Sequence, residues 1–233
     1  MINSPNIRNK PHQEKLIMIT SAINKNLLSI ENCQSILAKM RENGLTPNEV
    51  TYTSIINKHC KTQEDALRFL DEMKENGLTP DEVTYTSIIN KHCKTIEDAL
   101  SFLDKMRDNG LTPNEVTYSS ILNKVDSKEE CSFKGLKELY EKINLKPKYE
   151  NNMFDFHGAL EGVSRFFFFT ELQEVIEKQH DKEITLITGK GIHSMDKIPR
   201  LKNMLIELIK KEGLHLIPNE NEGRIIFNKT LSV

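Results

Sequence analysis

The 233-residue sequence has no tryptophan, and aromatic residues make up 6% of it. No apolar run is long enough to span a bilayer and no charged-then-apolar leader opens the chain, so neither a membrane protein nor a secreted one is expected. The four cysteines (Cys33, Cys60, Cys93 and Cys131) form no Cys-x-x-Cys pair. His59-Cys60 and His92-Cys93 could ligate a metal, but packing is the stronger reading, and a reducing compartment follows. A formal net charge of −2 argues against a globally basic nucleic-acid binder, so any polyanion must be held by local patches. Residues 1–15 are polar and Asn-rich and are read as a frayed tail. The cytoplasm is the expected compartment, with mitochondrion or chloroplast as the alternative for a short organellar signal.

What the chain does have is a repeat. Gly44 to Asn76 returns almost unchanged from Gly77 and begins again at Gly110, a fixed period of 33 residues. Such a period means stacked supersecondary units, each too small to bury its own apolar face. Thr46-Pro47-Asn48-Glu49 reads as a capping box with proline at the first helical position. Tyr52, Ile55, Ile56 and His59 then fall on one helical face. Lys61-Thr62 breaks the pattern, and Ala66, Leu67, Phe69, Leu70 and Met73 mark a second helix closed by Asn76-Gly77.

The opposite face of the first helix is polar in a regular way. Val50, Thr53, Asn57 and Lys61 form a stripe that recurs as Val83, Thr86, Asn90 and Lys94, and as Val116, Ser119 and Asn123. An apolar wedge, a hydroxyl, an amide and a cation per unit suit a single-stranded nucleic acid: wedge against base, polar groups on its edge, lysine on phosphate. Lys58, Lys91 and Lys124 add cations to the strip. A solvated face of a protein-interaction adaptor is the alternative.

The pattern Val-Thr-Tyr-x-Ser-Ile-Ile, followed by Ala-Leu and Phe-Leu-Asp-Glu-Met-Lys-Glu-Asn-Gly-Leu-Thr-Pro-Asp, resembles the pentatricopeptide repeat, a helical RNA-binding module. Tetratricopeptide repeats would carry Trp-x-x-Leu-Gly and ankyrin repeats Thr-Pro-Leu-His, both absent. The resemblance spans about 16–148 as four units, 16–48, 49–81, 82–114 and a degenerate 115–148. It implies RNA-base contacts at Thr20 with Asn48, Thr53 with Asp81, and Thr86 with Asn114, suggesting A, G, A, between the wedges Val50, Val83 and Val116. Ser119 pairs with Lys148, which has no assigned reading. Lys61 and Lys94 are the backbone cations. The units are two residues shorter than is usual for the family, at the turn after Lys61 and Lys94, which bears on base register.

After Tyr149 the period vanishes. Strands are expected at Met153–Phe156, 184–187, 214–217 and 224–227, with helices to about Lys178 and over 199–211, giving a small two-layer α/β domain of order βαβαββ over 149–233. If the first two strands are parallel, Asp155, His157 and the loop Thr188-Gly189-Lys190-Gly191-Ile192-His193-Ser194 meet where α/β sheets bind ligands. Lys190, Lys197, Arg200 and the next helix's positive end favour phosphate. Phe166 to Phe169 sweep more of a helix than one buried stripe needs; Phe168 and Phe169 are assigned to the core and Phe166 to a docking contact.

Phe154-Asp155-Phe156-His157-Gly158 and the 188–194 loop resemble, in that order, the Smr (small MutS-related) domain, as does Asn221-Glu222-Gly223-Arg224. The resemblance implies endonuclease activity, with RNA as substrate given the repeats. Asp155, His157 and His193 are then the catalytic set, and Thr188, Gly189, Lys190, Gly191 and Ser194 hold phosphate. His157 would take the 2′-hydroxyl proton, oriented by Asp155, while His193 or Lys190 serves the leaving oxygen. No cofactor is expected; an Asp155/His157-bound divalent ion is the alternative, and a turn-capping Asp155 the non-catalytic one. The expected partner is single-stranded RNA, bound by a monomer, with a ribosome or protein partner left open. A catalytically silent RNA-binding regulator is the competing reading of the whole.

Overall fold

A computed structural model describes residues 11–24, 30–144, 146–178, 182–189 and 199–229. The candidate residues Lys190, Gly191, His193, Ser194 and Lys197, and most of the tail, lie outside the described residues. The chain divides into two compact units, Met1–Pro113 and Asn114–Val233.

The first unit consists of α1 (His12–Asn24), α2 (Ile30–Glu42), α3 (Glu49–Lys58), α4 (Gln63–Glu75), α5 (Glu82–Lys91) and α6 (Ile96–Asp108). The expected start at Thr46-Pro47 is corrected by two residues. Asn48 is the N-cap, its Oδ1 accepting from the Thr51 amide (3.1 Å) and the Thr51 hydroxyl (2.9 Å). Two bonds from one threonine outcompete a cap at Thr46, so Pro47 falls before the helix instead of inside it. Asp81 opens α5 in the same way, and Thr62 and Thr95 cap α4 and α6. Each second helix stops at a glycine. Gly77 has φ +74°, its N–H reaches Lys74 O (2.9 Å), and Leu78 N–H reaches Met73 O (3.1 Å). That left-handed closure is open to glycine at little steric cost.

The predicted apolar faces meet. Tyr52, Ile55, Ile56, Ala66, Phe69, Leu70 and Met73 are buried, as are their counterparts one period on. Each large apolar side chain among them contributes roughly 1.5–3 kcal/mol, and units of this size hold together only by stacking. Polar struts tie neighbouring units: the buried His92 ring lies 2.8 Å from Ile56 O through Nε2, and Lys91 Nζ donates to Asn57 O (2.8 Å). His59 and His92 are buried, in keeping with packing roles.

One strut is present in one unit and missing in the next. Arg41 donates to Tyr52 Oη (2.7 Å) and Glu72 Oε1 (2.8 Å), and Tyr52 donates to the same Glu72 oxygen (3.1 Å). Burial, and then the Glu72 charge, push the Tyr52 hydroxyl up to about 12. One period later the positions are Lys74, Tyr85 and Lys105, and the buried Tyr85 hydroxyl has no partner among the described residues.

The second unit opens with α7 (Glu115–Leu122), a 3₁₀ turn (Glu130–Ser132) and α8 (Leu136–Glu141). A five-stranded sheet follows: β1 (Lys148–Glu150), β2 (Met153–Asp155), β3 (Ile184–Ile187), β4 (His215–Ile217) and β5 (Arg224–Asn228), ordered β1-β2-β3-β5-β4. Strands β2 and β3 are parallel, joined through one long helical stretch: α9 (Glu161–Phe167), a π segment (Phe168–Leu172) and α10 (Gln173–Lys178). The other pairings are antiparallel, and α11 (Arg200–Lys211) precedes β4. β1 was not foreseen. Asn151 and Asn152, both at positive φ (49° and 62°), form the two-residue turn between β1 and β2, a hairpin signal present in the sequence. Phe154, Leu186, Ile225 and Phe227 form the buried sheet face, against which Phe167 packs edge-on to Phe154 and Phe156.

Replacing Lys74 by Arg together with Lys105 by Glu should rebuild the Arg–Tyr–Glu contact around Tyr85. We expect a gain of about 1 kcal/mol in the first unit, read from its urea midpoint; an unchanged or lower midpoint would show that Tyr85 is satisfied another way.

Candidate nucleic-acid interface and active site

On the first unit the stripe survives in shortened form. Val50 and Val83 are each 60% exposed, an unusual position for valine, and Thr53 is half-buried beside them. The lysine end is corrected: α3 stops at Lys58 and α5 at Lys91, so Lys61 and Lys94 stand in exposed turns and not on the helical stripe. Lys58 and Lys91 occupy the helix ends. Lys91 is held below the usual lysine range by partial burial, then by the nearby Lys58 charge.

The caps carry the polar end of the stripe. Asp81 accepts from the Thr84 amide (2.8 Å) and hydroxyl (2.7 Å) through one oxygen, Oδ1. Its second oxygen has no protein partner among the described residues. Asn48 spends Oδ1 likewise on Thr51, and its Nδ2 has no protein partner among the described residues. The two caps therefore look alike to the fold and opposite to a ligand: Asn48 offers a donor, Asp81 an acceptor. Thr20 is buried, its hydroxyl 3.4 Å from that of Thr51, and Thr53 stands 2.7 Å from Thr84.

A single family model, described as the pentatricopeptide repeat domain, matches residues 18–61, 35–95 and 68–126. The matched stretch, residues 18–126, is similar to pentatricopeptide repeats. No curated protein matches the chain. Among solved structures, the pentatricopeptide repeat domain of Arabidopsis thaliana protein-only RNase P 1, in complex with tRNA, is 12% identical. It covers 85% of this chain and 96% of that one, with a TM-score of 0.46.

The last expected unit, 115–148, departs from those before it. Residues 115–144 pack within the second compact unit, against α9, instead of offering their stripe to solvent. Val116 remains 54% exposed, but Ser119 is only 7% exposed. A Cβ at Gly162 of α9 would lie 1.8 Å from Ser119 O and 2.7 Å from Asn123 N, so the two helix backbones touch there. Asn123 Oδ1 accepts from Arg165 Nε (3.3 Å), and Asp126 takes both Arg165 (3.4 Å) and Lys211 (2.8 Å). Phe166, expected to dock, is 2% exposed and packs on Tyr140 with ring centroids 5.0 Å apart. Burial, reinforced by Glu171, pushes the Tyr140 hydroxyl well above its ordinary range. Ser119 is thus corrected from a base-facing residue to a buried one. Asn114 still caps α7, accepting from the amides of Val116 and Thr117 (both 3.0 Å).

In the sheet, β2 and β3 end side by side. Phe156 N–H donates to Ile187 O (2.9 Å), which extends their pairing one residue past β2. Beyond it the chain turns, with Gly158 at φ +75°. Asp155 Oδ1 accepts from the His157 amide (2.9 Å) and lies 3.6 Å from His157 Nδ1. The carboxylate therefore does cap its turn, but the imidazole is not a buried strut: it is 70% exposed. It lies over Gly189, where a Cβ would be 3.2 Å from its Cε1 and 3.3 Å from its Nε2. Gly189 itself has φ +71°, a conformation glycine adopts without strain. Asp155, His157 and Gly189 thus come together at one sheet end. Thr188 is tied to Gly223 O through its amide (2.9 Å) and, more weakly, its hydroxyl (3.4 Å), so the Asn221–Gly223 turn closes on the same loop.

The register adds cations that the notion of a two-residue motif misses. Lys148, Asp155, Ile187 and Arg224 are successive cross-strand partners, so their side chains share a face. Among the described residues no group of three His, Cys, Asp or Glu side chains gathers to hold a metal ion. Among them, too, no helix is long and apolar enough to cross a membrane.

Gly162→Ala should split the second unit. Forcing a methyl into two touching backbones costs about 3 kcal/mol or more, read as earlier urea unfolding of the β3 amides by hydrogen exchange. A loss below about 1 kcal/mol would mean the helices part easily.

Proposed function

We propose that the chain is an RNA-binding protein whose repeats grip single-stranded RNA and whose C-terminal α/β part cleaves RNA as an endonuclease. The observation that carries the reading is the exposed His157 imidazole resting on Gly189, with Asp155 on the turn beneath it and Lys148 and Arg224 in the adjoining row. The strand end 154–158, the 188–194 loop and Asn221–Arg224 resemble the Smr domain in order and content, which supports a phosphodiester substrate. The match of the same chain to the pentatricopeptide repeat family supports RNA.

RNA bases would lie against Val50 and Val83, with phosphates toward Lys58, Lys91, Lys61 and Lys94. Asn48, presenting an amide N–H, suits a base edge with an acceptor, and Asp81 one with donors, in line with A followed by G. Ser119 and Thr20, both buried, drop out of the readable set, which leaves Asn48 alone at the first position. Thr86 and Asn114 belong to different compact units, so the third expected pair is not carried further. With net charge −2, binding is salt-sensitive and local.

In cleavage, His157 takes the proton from the 2′-hydroxyl as that oxygen attacks the neighbouring phosphorus, and Asp155 faces the imidazolium that results. The Gly189 backbone, open to close approach, and the cations of the adjoining row face the developing phosphorane charge. His193 and Lys190 remain the proposed partners for the leaving oxygen. The alternative, a divalent ion held at Asp155 and His157 that activates water, gives different ends.

Labelled single-stranded RNA incubated with the full chain should be cut in chelator to 2′,3′-cyclic phosphate ends. An Asp155→Ala/His157→Ala double variant should lose at least about a hundredfold in rate while binding RNA equally. Equal cutting by the double variant rules the site out. Loss of cutting in chelator selects the metal route, and binding without any cutting selects the non-catalytic regulator.

A further inference from the structure

The geometry points to Thr84 as a positioning residue that sets which way the Thr53 hydroxyl faces, and through it the base accepted between Thr53 and Asp81. The inference rests on the RNA reading above. A hydroxyl has one proton to give. Thr84 gives its proton to Asp81 Oδ1 at 2.7 Å, a carboxylate oxygen that can only accept. The 2.7 Å contact between Thr53 and Thr84 must then be Thr53 donating. Thr53 is left with lone pairs alone, and Asp81 with its second oxygen, so the two positions present a pair of acceptors. A base edge with two neighbouring donors, as guanine has at N1 and N2, matches that pair; adenine, whose edge mixes an acceptor with a donor, does not.

The same chain runs from Thr20 through Thr51 to Asn48, looser at 3.4 Å and 2.9 Å. There it ends on an amide whose spare group is a donor. The relay therefore connects, inside the fold, Thr53 with Asp81 and, more loosely, the buried Thr20 with Asn48, and its last member changes the outcome from donor to acceptor. Thr84 is buried and touches no nucleotide itself. Its helix-cap role is shared with its own amide, which donates separately to Asp81 at 2.8 Å.

The test uses the full chain and single-stranded RNAs that differ at one position, carrying guanine, inosine or adenine, with affinity read by fluorescence anisotropy. The parent should prefer guanine over adenine by about tenfold, with inosine between them. Thr84→Val, which keeps the shape and removes the relay, frees Thr53 to donate and should bring that ratio within about threefold, with the salt dependence of binding unchanged. Thr84→Ser should restore it. Thr53→Val, which leaves the Asp81 cap intact, should lower the ratio to the same extent, and Thr53→Val with Thr84→Val no further. A Thr84→Val chain that keeps the parental ratio, or single effects that add in the double variant, overturns the relay. A parent that binds RNA but shows no guanine preference does the same. A parent that binds none of the RNAs overturns the RNA reading, and the relay falls with it.

Discussion

The contact between an Asx side chain and the threonine three residues later decides more of this molecule than any other. It starts α3, α5 and α7, using one oxygen of Asn48, Asp81 or Asn114 to satisfy backbone and hydroxyl donors that the helix cannot satisfy itself. Because each cap sits at the end of one unit and the beginning of the next, it also fixes where successive units meet. And because a carboxylate or an amide has a second polar atom, the fold leaves one group per unit unspent. In the proposed reading, helix initiation and base contact would be two ends of the same side chain. The fold constrains the first and leaves the second open to be Asn or Asp.

A second constraint acts where the repeats stop. The fourth unit repeats the first helix almost letter for letter, yet Gly162 lets α9 lie directly on it and bury Ser119. A surface that elsewhere is offered to solvent becomes the base on which the sheet's helices are built. Arg165, Lys211 and Lys128 seal it with ion pairs to Asp126 and Glu177, each partly exposed and individually weak. The aromatic seam of Phe166 on Tyr140 carries more of the apolar burial.

Much of this was legible before any coordinates. The 33-residue period, the paired helices, their buried faces and the glycine stops follow from apolar spacing and backbone chemistry that act locally. So do β2, β3, α11 and the meeting of His157 with Gly189, which needed only the assumption of a parallel pair. What escaped depends on competition or on distance. Thr46 and Asn48 are both good caps, and only the reach of Thr51 separates them. Lys61 and Lys94 fit the helical spacing but lie beyond the last helical turn. Ser119 is identical in kind to Thr53 and Thr86; its burial is decided by a glycine 43 residues further along. β1 was hidden because Lys148-Tyr149-Glu150 pairs through an Asn-Asn turn that reads equally well as a loop.

The central claim is that the exposed valine stripe of the first unit is where RNA lies. Methyl spectra of the full chain with labelled valines, recorded as single-stranded RNA is added, test it directly. The account predicts that the Val50 and Val83 methyls shift in step with binding while Val163, fully buried in α9, stays in place. RNA that binds and leaves both Val50 and Val83 unmoved would contradict it.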